Sequence, residues 1–193
     1  MLWTGTGDAT RALFPPADSV AAEDRPNENM CSLGVRLAYG RFRWWSGGDL
    51  PGIADPGYPA WHELESAVGP VVGPVDVHVV NHHGSIGEAS EPFLRALAAP
   101  VLVIPSWSPS HVSPDVLKRL VNSRLAPRER LIYATDLRPA TRTVLGPRAT
   151  SLAAPPGHVI VRVAPGGARW WVVTTRSEDE SGVVVAVRSM GEG

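Results

Sequence analysis

Short strand-like runs alternate with helix signals through the middle of this 193-residue chain, and this alternation limits the folds open to it. The strand-like runs are 75–80, 101–104 and 131–134. Helices are predicted at 61–68, at 92–98, and from Ser113 to about Leu125. The last of these starts with an N-cap serine, followed by a proline and an acid in the first turn. Strands that alternate with helices predict a sheet flanked by helices.

Hairpin patterns lie at both ends of this alternating region. The run 33–38 places its leucines and Val35 on one side, which predicts a half-buried strand. A turn at 39–40 joins it to a second alternating run at 42–45. The end of the chain is predicted to form strands at 158–163, 169–174 and 183–188. The combination predicts a mixed sheet and the fold class α/β (α+β).

Composition excludes several classes of protein. With 44% apolar and 19% charged residues and a net charge of −1, the chain is predicted to be one ordered domain, not a dedicated nucleic-acid or membrane-surface module. No run approaches the roughly 20 apolar residues that cross a bilayer. The single cysteine, Cys31, excludes an internal disulfide framework and a zinc site of several thiolates. No secretory signal is visible, so a cytoplasmic location is the default expectation.

Residues 1–26 differ in character from the rest of the chain. They are rich in proline and acidic residues and show no periodicity. We therefore expect an irregular N-terminal segment that packs poorly, followed by a folded domain at 27–193.

Three polar loops follow predicted strands, and each holds a residue that could bind a metal ion. Asp49 closes a Gly-Gly-Asp turn, His82 and His83 precede Gly-Ser, and His111 lies just before a helix start. Carboxylate and neutral imidazole are ligands of zinc and related ions. Loops at the carboxyl ends of strands are where open α/β sheets place their sites. We therefore expect these residues to meet at one edge of the sheet, with Asp49 within about 12 Å of His82 or His83.

Each candidate also has a purely structural interpretation. Asp49 could cap its own turn, and the histidines could lie in polar surface loops. Adjacent side chains point apart, so one of His82 and His83 could bind a metal while the other contacts a substrate. The sequence does not decide between these two. The remaining histidines are interpreted as structural: His62, His78 and His158.

The order of these motifs resembles the metallo-β-lactamase fold, in its branch of competence-protein-like metal-dependent hydrolases. The resemblance covers roughly residues 27–175. It rests on Glu-Asn-x-x-Ser at 28–32, Gly-Gly-Asp at 47–49, His-His-Gly-Ser at 82–85, and His-x-Ser-Pro at 111–114. It implies an αββα sandwich around two metal ions, zinc or manganese, that activate water for attack on a phosphodiester or a small-molecule substrate.

The resemblance also implies a role for each candidate residue. Asp49 would bridge the metals, and His82 and His111 would be further ligand candidates. His83 and Ser85 would hold the reacting side of the substrate as catalytic residues.

One signature of the family is absent from the sequence. The chain has no His-x-His-x-Asp-His loop, which supplies most ligands of the two-metal site, and no histidine before His62. The expectation is that 27–193 is the C-terminal half of a metallo-β-lactamase-like domain: half of an αββα sandwich, with a mixed sheet and flanking helices. It would bind at most one ion weakly and be inactive alone.

Two other functions stay open at this point. A truncated, non-catalytic module could bind a partner through a sheet face that a missing half would leave exposed. Residues 115–148 carry eight basic residues against three acids, an excess that could follow the phosphate backbone of a nucleic acid. Such a run is more typical of a solvated helix face and loop.

Overall fold

Two β-sheets lie face to face in the computed structural model, which describes residues 14, 15, 17–125, 129–179 and 181–191. The first sheet has the strands Val35–Tyr39 (β1), Phe42–Ser46 (β2), Val77–Val79 (β3), Val101–Ile104 (β4) and Leu131–Ala134 (β5), adjacent in that order. The second has the strands His158–Val163 (β6), Arg169–Thr175 (β7) and Val184–Gly191 (β8), also in chain order.

The pairing pattern makes the first sheet mixed. Strand β1 runs antiparallel to β2, with Tyr39 opposite Phe42 across a two-residue turn. Strands β2, β3, β4 and β5 are all parallel, so their carboxyl ends share one edge. This confirms the predicted α/β (α+β) class. Membership of an αββα sandwich stays a prediction.

Four helices of the described residues cover one face of the first sheet: Glu65–Val72 (α1), Glu91–Leu97 (α2), Pro114–Leu120 (α3) and Pro139–Leu145 (α4). Phe93 and Leu117 pack from this layer against strand residues such as Leu102, and all three are fully buried. Each side chain of this size contributes about 1.5–3 kcal/mol when buried. None of the helices in the described part of the chain is long and apolar enough to cross a membrane.

A second core lies between the two sheets. Phe42 and Val77 of the first sheet meet Trp170 and Val172 of the second, and the rings of Phe42 and Trp170 are 5.3 Å apart at 65°. The described residues therefore form three layers: helices, mixed sheet and antiparallel sheet.

The prediction of a half-buried first strand is wrong. All five residues of β1 are exposed, including the apolar Val35, Leu37 and Tyr39. Alternation correctly indicated a strand with one apolar face, but the second sheet does not extend over it. The strands at 101–104, 131–134 and 158–163 are confirmed, and β3 is shorter than predicted.

Helix starts were predicted better than helix ends. The Ser113 hydroxyl accepts a hydrogen bond from the Val116 amide at 3.2 Å, so the predicted N-cap is confirmed. The helix ends at Leu120, however, and a separate 3₁₀ turn, Ser123–Leu125, follows it.

Two further helix boundaries differ from expectation. A 3₁₀ turn at Ala60–His62 is followed by extended backbone at Glu63, so α1 begins only at Glu65. Sequence analysis missed α4, although Pro139 in its first turn and Gly146 after its end are ordinary start and stop signals.

The predicted irregular segment 1–26 is only partly within the described residues, since 1–13 and 16 lie outside them. The described part contains short 3₁₀ turns at Ala17–Ser19 and Ala22–Asp24. Its contacts with the body include the Phe14 ring, which meets Trp61 edge-on at 6.1 Å, and the Asp24 carbonyl, which lies 2.8 Å from His62 Nε2.

His78 in β3 is a buried histidine, and neither of its ring nitrogens has a hydrogen-bond partner. Burial, followed by the charge of Arg130, lowers the pKa of His78 to about 3. The unfolded chain, with a histidine pKa of about 6.5, therefore binds a proton that the folded protein does not bind between these two values. The contribution of His78 to the free energy of unfolding consequently falls as the pH decreases through that range.

We expect His78→Leu to raise the free energy of unfolding near neutral pH by about 1 kcal/mol, because it removes two unsatisfied buried nitrogens. It should also make the stability at about pH 5, relative to that at about pH 7, higher than in the wild type. Urea unfolding at both pH values measures this, with His158→Leu as the control because His158 is exposed at the start of β6. An unchanged pH dependence in the His78 variant would show that this histidine is not the acid-sensitive group.

Candidate functional site

Three loops meet at the shared carboxyl edge of the parallel strands. They follow β2, β3 and β4 and contain Asp49, His82 with His83, and His111. The His82 amide donates to the Gly48 carbonyl at 2.9 Å, and the Ser113 amide donates to the Gly84 carbonyl at 2.9 Å. The predicted convergence of the loops is therefore confirmed.

The loop after β3 holds its two histidines in an unusual backbone conformation. It forms a 3₁₀ turn, Asn81–Gly84, in which His82 and His83 have φ values of 45° and 58°. Left-handed backbone costs a non-glycine residue roughly 1–2 kcal/mol. Such conformations concentrate at functional sites, where surrounding contacts hold them in place.

His83 and Asp49 form the central contact of the site. His83 Nε2 lies 3.4 Å from Asp49 Oδ1, and both side chains are partly exposed. His83 Nδ1 lies 2.8 Å from the Pro105 carbonyl, which can only accept, so Nδ1 carries a proton. In the neutral imidazole the lone pair of Nε2 then faces a carboxylate oxygen, and this arrangement calls for a proton or a cation between the two atoms.

His111 stacks on His83. The two rings lie 4.7 Å apart at an angle of 13°, and the Ser108 amide donates to His111 Nδ1 at 3.4 Å. In the neutral form the proton of His111 is therefore on Nε2, which makes that nitrogen a donor. Burial, followed by the charges of His83 and His82, lowers the pKa of His111 and favours this neutral form.

His82 has a different partner from His83. Its Nδ1 lies 3.1 Å from Oε1 of the buried Glu88, and its Nε2 lies 3.5 Å from Asn29 Nδ2. The hydrogen bond to Glu88 raises the pKa of His82, against the opposing effect of burial. His82 and Glu88 border a cavity of about 190 Å³.

The Glu-Asn-x-x-Ser motif at 28–32 contacts two residues of this site. The Ser32 hydroxyl accepts a hydrogen bond from the Asp49 amide at 3.0 Å, while Asn29 contacts His82. Both residues therefore position members of the site. Ser85 lines a separate groove of about 600 Å³ together with Ser110 and Val112.

Sequence reasoning missed Glu65, which anchors the histidine loop to α1. The oxygens of its carboxyl group accept hydrogen bonds from Asn81 Nδ2 at 2.8 Å, the Ala89 amide at 3.2 Å and the Ser90 amide at 2.6 Å. Burial, and then the charge of Glu88, raises the pKa of Glu65 to about 8. No motif marks this residue, since a glutamate in the first turn of a helix is commonplace.

The Asp49–His83 pair fits the geometry of a metal site, but the full candidate set does not. Two ligands of one tetrahedral zinc ion lie about 3.3 Å apart, close to the 3.4 Å between these two atoms. The lone pair of neutral His111 is on Nδ1, where it accepts from the Ser108 amide, and it lies in a plane nearly parallel to the His83 ring, so it does not converge on the same point. Among the described residues, no group of three or more His, Cys, Asp or Glu side chains could hold a metal ion.

Comparison with known proteins adds no assignment. No protein-family model matches the sequence, and no curated protein matches it significantly. The resemblance to the metallo-β-lactamase fold, the two-metal chemistry and the site roles therefore stay predictions.

Replacement of Glu65 tests whether this side chain anchors the histidine loop to α1. We expect Glu65→Ala to lower the free energy of unfolding by about 2–4 kcal/mol, because it leaves the Asn81 side chain and two buried amides without their acceptor. Glu65→Gln keeps one side-chain oxygen as an acceptor, so it should lower the free energy of unfolding by less than Glu65→Ala does. Urea unfolding measures both variants, with Glu129→Ala as the control because Glu129 is an exposed glutamate outside the helices. Equal stability of the alanine variant and the wild type would contradict the anchoring role.

The pH dependence of the free energy of unfolding gives a second test of the role of Glu65. A folded pKa of about 8, above the ordinary value of 4.5, means that the folded protein binds a proton that the unfolded chain does not bind between these values. This contribution to stability is complete below about pH 4.5 and is lost as the pH rises through 8. Glu65→Gln should therefore flatten the decline in stability between about pH 6 and pH 8.

Proposed function

We propose that this chain forms the C-terminal part of a metal-dependent hydrolase similar to the metallo-β-lactamase fold, with Asp49 and His83 as ligands of a divalent cation. The observation that carries the proposal is the 3.4 Å approach of Asp49 Oδ1 to His83 Nε2. The Pro105 carbonyl, 2.8 Å from Nδ1, fixes the tautomer that directs the lone pair of Nε2 at the carboxylate. A backbone carbonyl on the second nitrogen is the usual support of a metal-binding histidine.

The geometry favours His83 over His82 as the ligand. His82 Nε2 faces the amide nitrogen of Asn29, a hydrogen-bond donor, and its ring borders the cavity next to Glu88. In this proposal His82 contacts the substrate, and the roles that the resemblance implied for the two histidines are exchanged.

His111 is assigned a donor role. With Nδ1 accepting from the Ser108 amide, its Nε2–H is available to an oxygen atom of the substrate, and stacking on His83 keeps it beside the ligand pair. A divalent cation at Asp49 and His83 would supply Lewis acidity and make a bound water more acidic.

Two protein ligands, Asp49 and His83, are too few to form a catalytic metal site in this chain by itself. A catalytic zinc ion has about three protein ligands and an open position. We propose that a polypeptide carrying a His-x-His-x-Asp-His loop, which these 193 residues lack, supplies the remainder.

Two of the basic residues of 115–148 form hydrogen bonds within the helix layer, which argues against their use in a nucleic-acid site. Arg119 donates to the carbonyls of Ala89 and Glu88, and Arg130 donates to those of Leu120 and Leu125. Arginines that satisfy buried or terminal carbonyls are less available to phosphates. The substrate is therefore proposed to be a small molecule or phosphodiester bound at the metal site.

Metal affinity tests the ligand assignment. We expect the protein to bind one zinc or manganese ion weakly, and Asp49→Ala and His83→Ala each to weaken binding at least about tenfold. His158→Ala, at an exposed strand position, is the control. Isothermal titration measures affinity, and the visible spectrum of bound cobalt reports the ligands. Loss of binding in His82→Ala but not in His83→Ala would reverse the assignment.

Activity tests the proposed incompleteness of the site. We expect no turnover of a generic phosphodiester or lactam by this chain with zinc or manganese, because a positioned water needs a complete ligand set. Addition of a polypeptide with the His-x-His-x-Asp-His loop should generate activity that Asp49→Ala abolishes. Turnover by the chain alone that disappears in Asp49→Ala would show that its own residues form a complete site.

A further inference from the structure

Among the residues that the structure describes, strand β1 is an edge of the first sheet without the usual protection against pairing with another strand. The edge of β5 is covered, because the Ala153 and Gly157 amides donate to the carbonyls of Ile132 and Ala134. The register between the edge strand β8 and β7 shifts between Thr174 and Thr175 of β7, which pair with Ala186 and Val184 of β8, and such bulges hinder further pairing. Strand β1 has a regular register, no proline, and exposed apolar residues.

The backbone of β1 offers hydrogen-bonding groups at defined positions. The two-residue turn at 40–41 closes on the pair Tyr39–Phe42, so Leu37 and Val35 form the next hydrogen-bonded pairs with β2. The amides and carbonyls of the alternate residues, Arg36 and Ala38, consequently point to the free edge of the sheet.

The sequence of β1 is complementary to itself in an antiparallel register centred on Leu37. In that register Arg36 lies opposite Ala38 of the second copy, so the two arginines are not opposed. These pairs exchange four backbone hydrogen bonds, and they use the groups that β2 leaves unpaired. On the other face Val35 lies opposite Tyr39 of the second copy, an aromatic and β-branched pair that favours cross-strand packing.

We propose that β1 is a homodimer interface, at which it pairs with β1 of a second copy of this chain to join the two five-stranded sheets. The contact is isologous, with Leu37 facing Leu37 of the second copy across the two-fold axis. An apolar groove of about 450 Å³ lies beside β1, and its lining includes Leu37, Tyr39, Trp44, Val161 and Val163. In the dimer this groove adjoins the same groove of the second copy. This inference does not depend on the proposed metal site.

Solution mass tests the interface directly. Size-exclusion chromatography with light scattering should give a concentration-dependent species of twice 20.6 kDa. Leu37→Lys should be monomeric, because a lysine on an edge strand opposes pairing. Val187→Lys on β8 and Ile160→Lys on β6 are matched controls at exposed apolar positions, and they should stay dimeric. A monomeric wild type, or a dimer lost only in a control variant, would overturn the proposal.

Disulfide trapping tests the register. In a Cys31→Ser background, Leu37→Cys should crosslink two copies under mild oxidation, because residues facing each other in a non-hydrogen-bonded pair have Cα atoms about 4.5 Å apart. Ala38→Cys, one residue further along the same strand, should not crosslink, because it faces residue 36 of the second copy. Equal crosslinking of both variants would indicate random collision and contradict the register.

Discussion

The geometry of the candidate site depends on the hydrogen bonds that the buried carboxyl group of Glu65 accepts. This group accepts hydrogen bonds from Asn81 at the start of the histidine loop and from Ala89 and Ser90 at its end. A single side chain of α1 therefore fixes both ends of a loop whose histidines occupy the left-handed region. The layer of helices thus determines the conformation of the site as well as covering the sheet.

Hydrogen-bond acceptors and donors behind each imidazole give the three histidines different chemical properties. A carbonyl behind His83 leaves a lone pair directed at Asp49, whereas an amide behind His111 leaves a donor. The carboxylate of Glu88 instead raises the pKa of His82 and directs its ring to the cavity. The same residue type therefore supplies a candidate metal ligand, a candidate hydrogen-bond donor and a candidate substrate contact within one site, since local partners set the tautomer of each ring.

Several features of this protein follow from the sequence by itself. Apolar runs and capping signals determined the main strands, the start of α3 and the mixed α/β class, because backbone periodicity and caps are local properties. The position of polar loops directly after strands also determined that Asp49, His82, His83 and His111 would meet, because parallel strands align their carboxyl ends.

Only the tertiary structure decided which atoms face each other. Glu65 and Glu88 became visible as site residues only when α1 and the loop packed together, since no local pattern distinguishes them from surface acids. The proposal of His83 rather than His82 as the ligand likewise rests on the distant Pro105 carbonyl and on Asn29. Alternation predicted an apolar face on β1 but not its exposure, because burial depends on how far the second sheet extends, and strand periodicity carries no information about that distance.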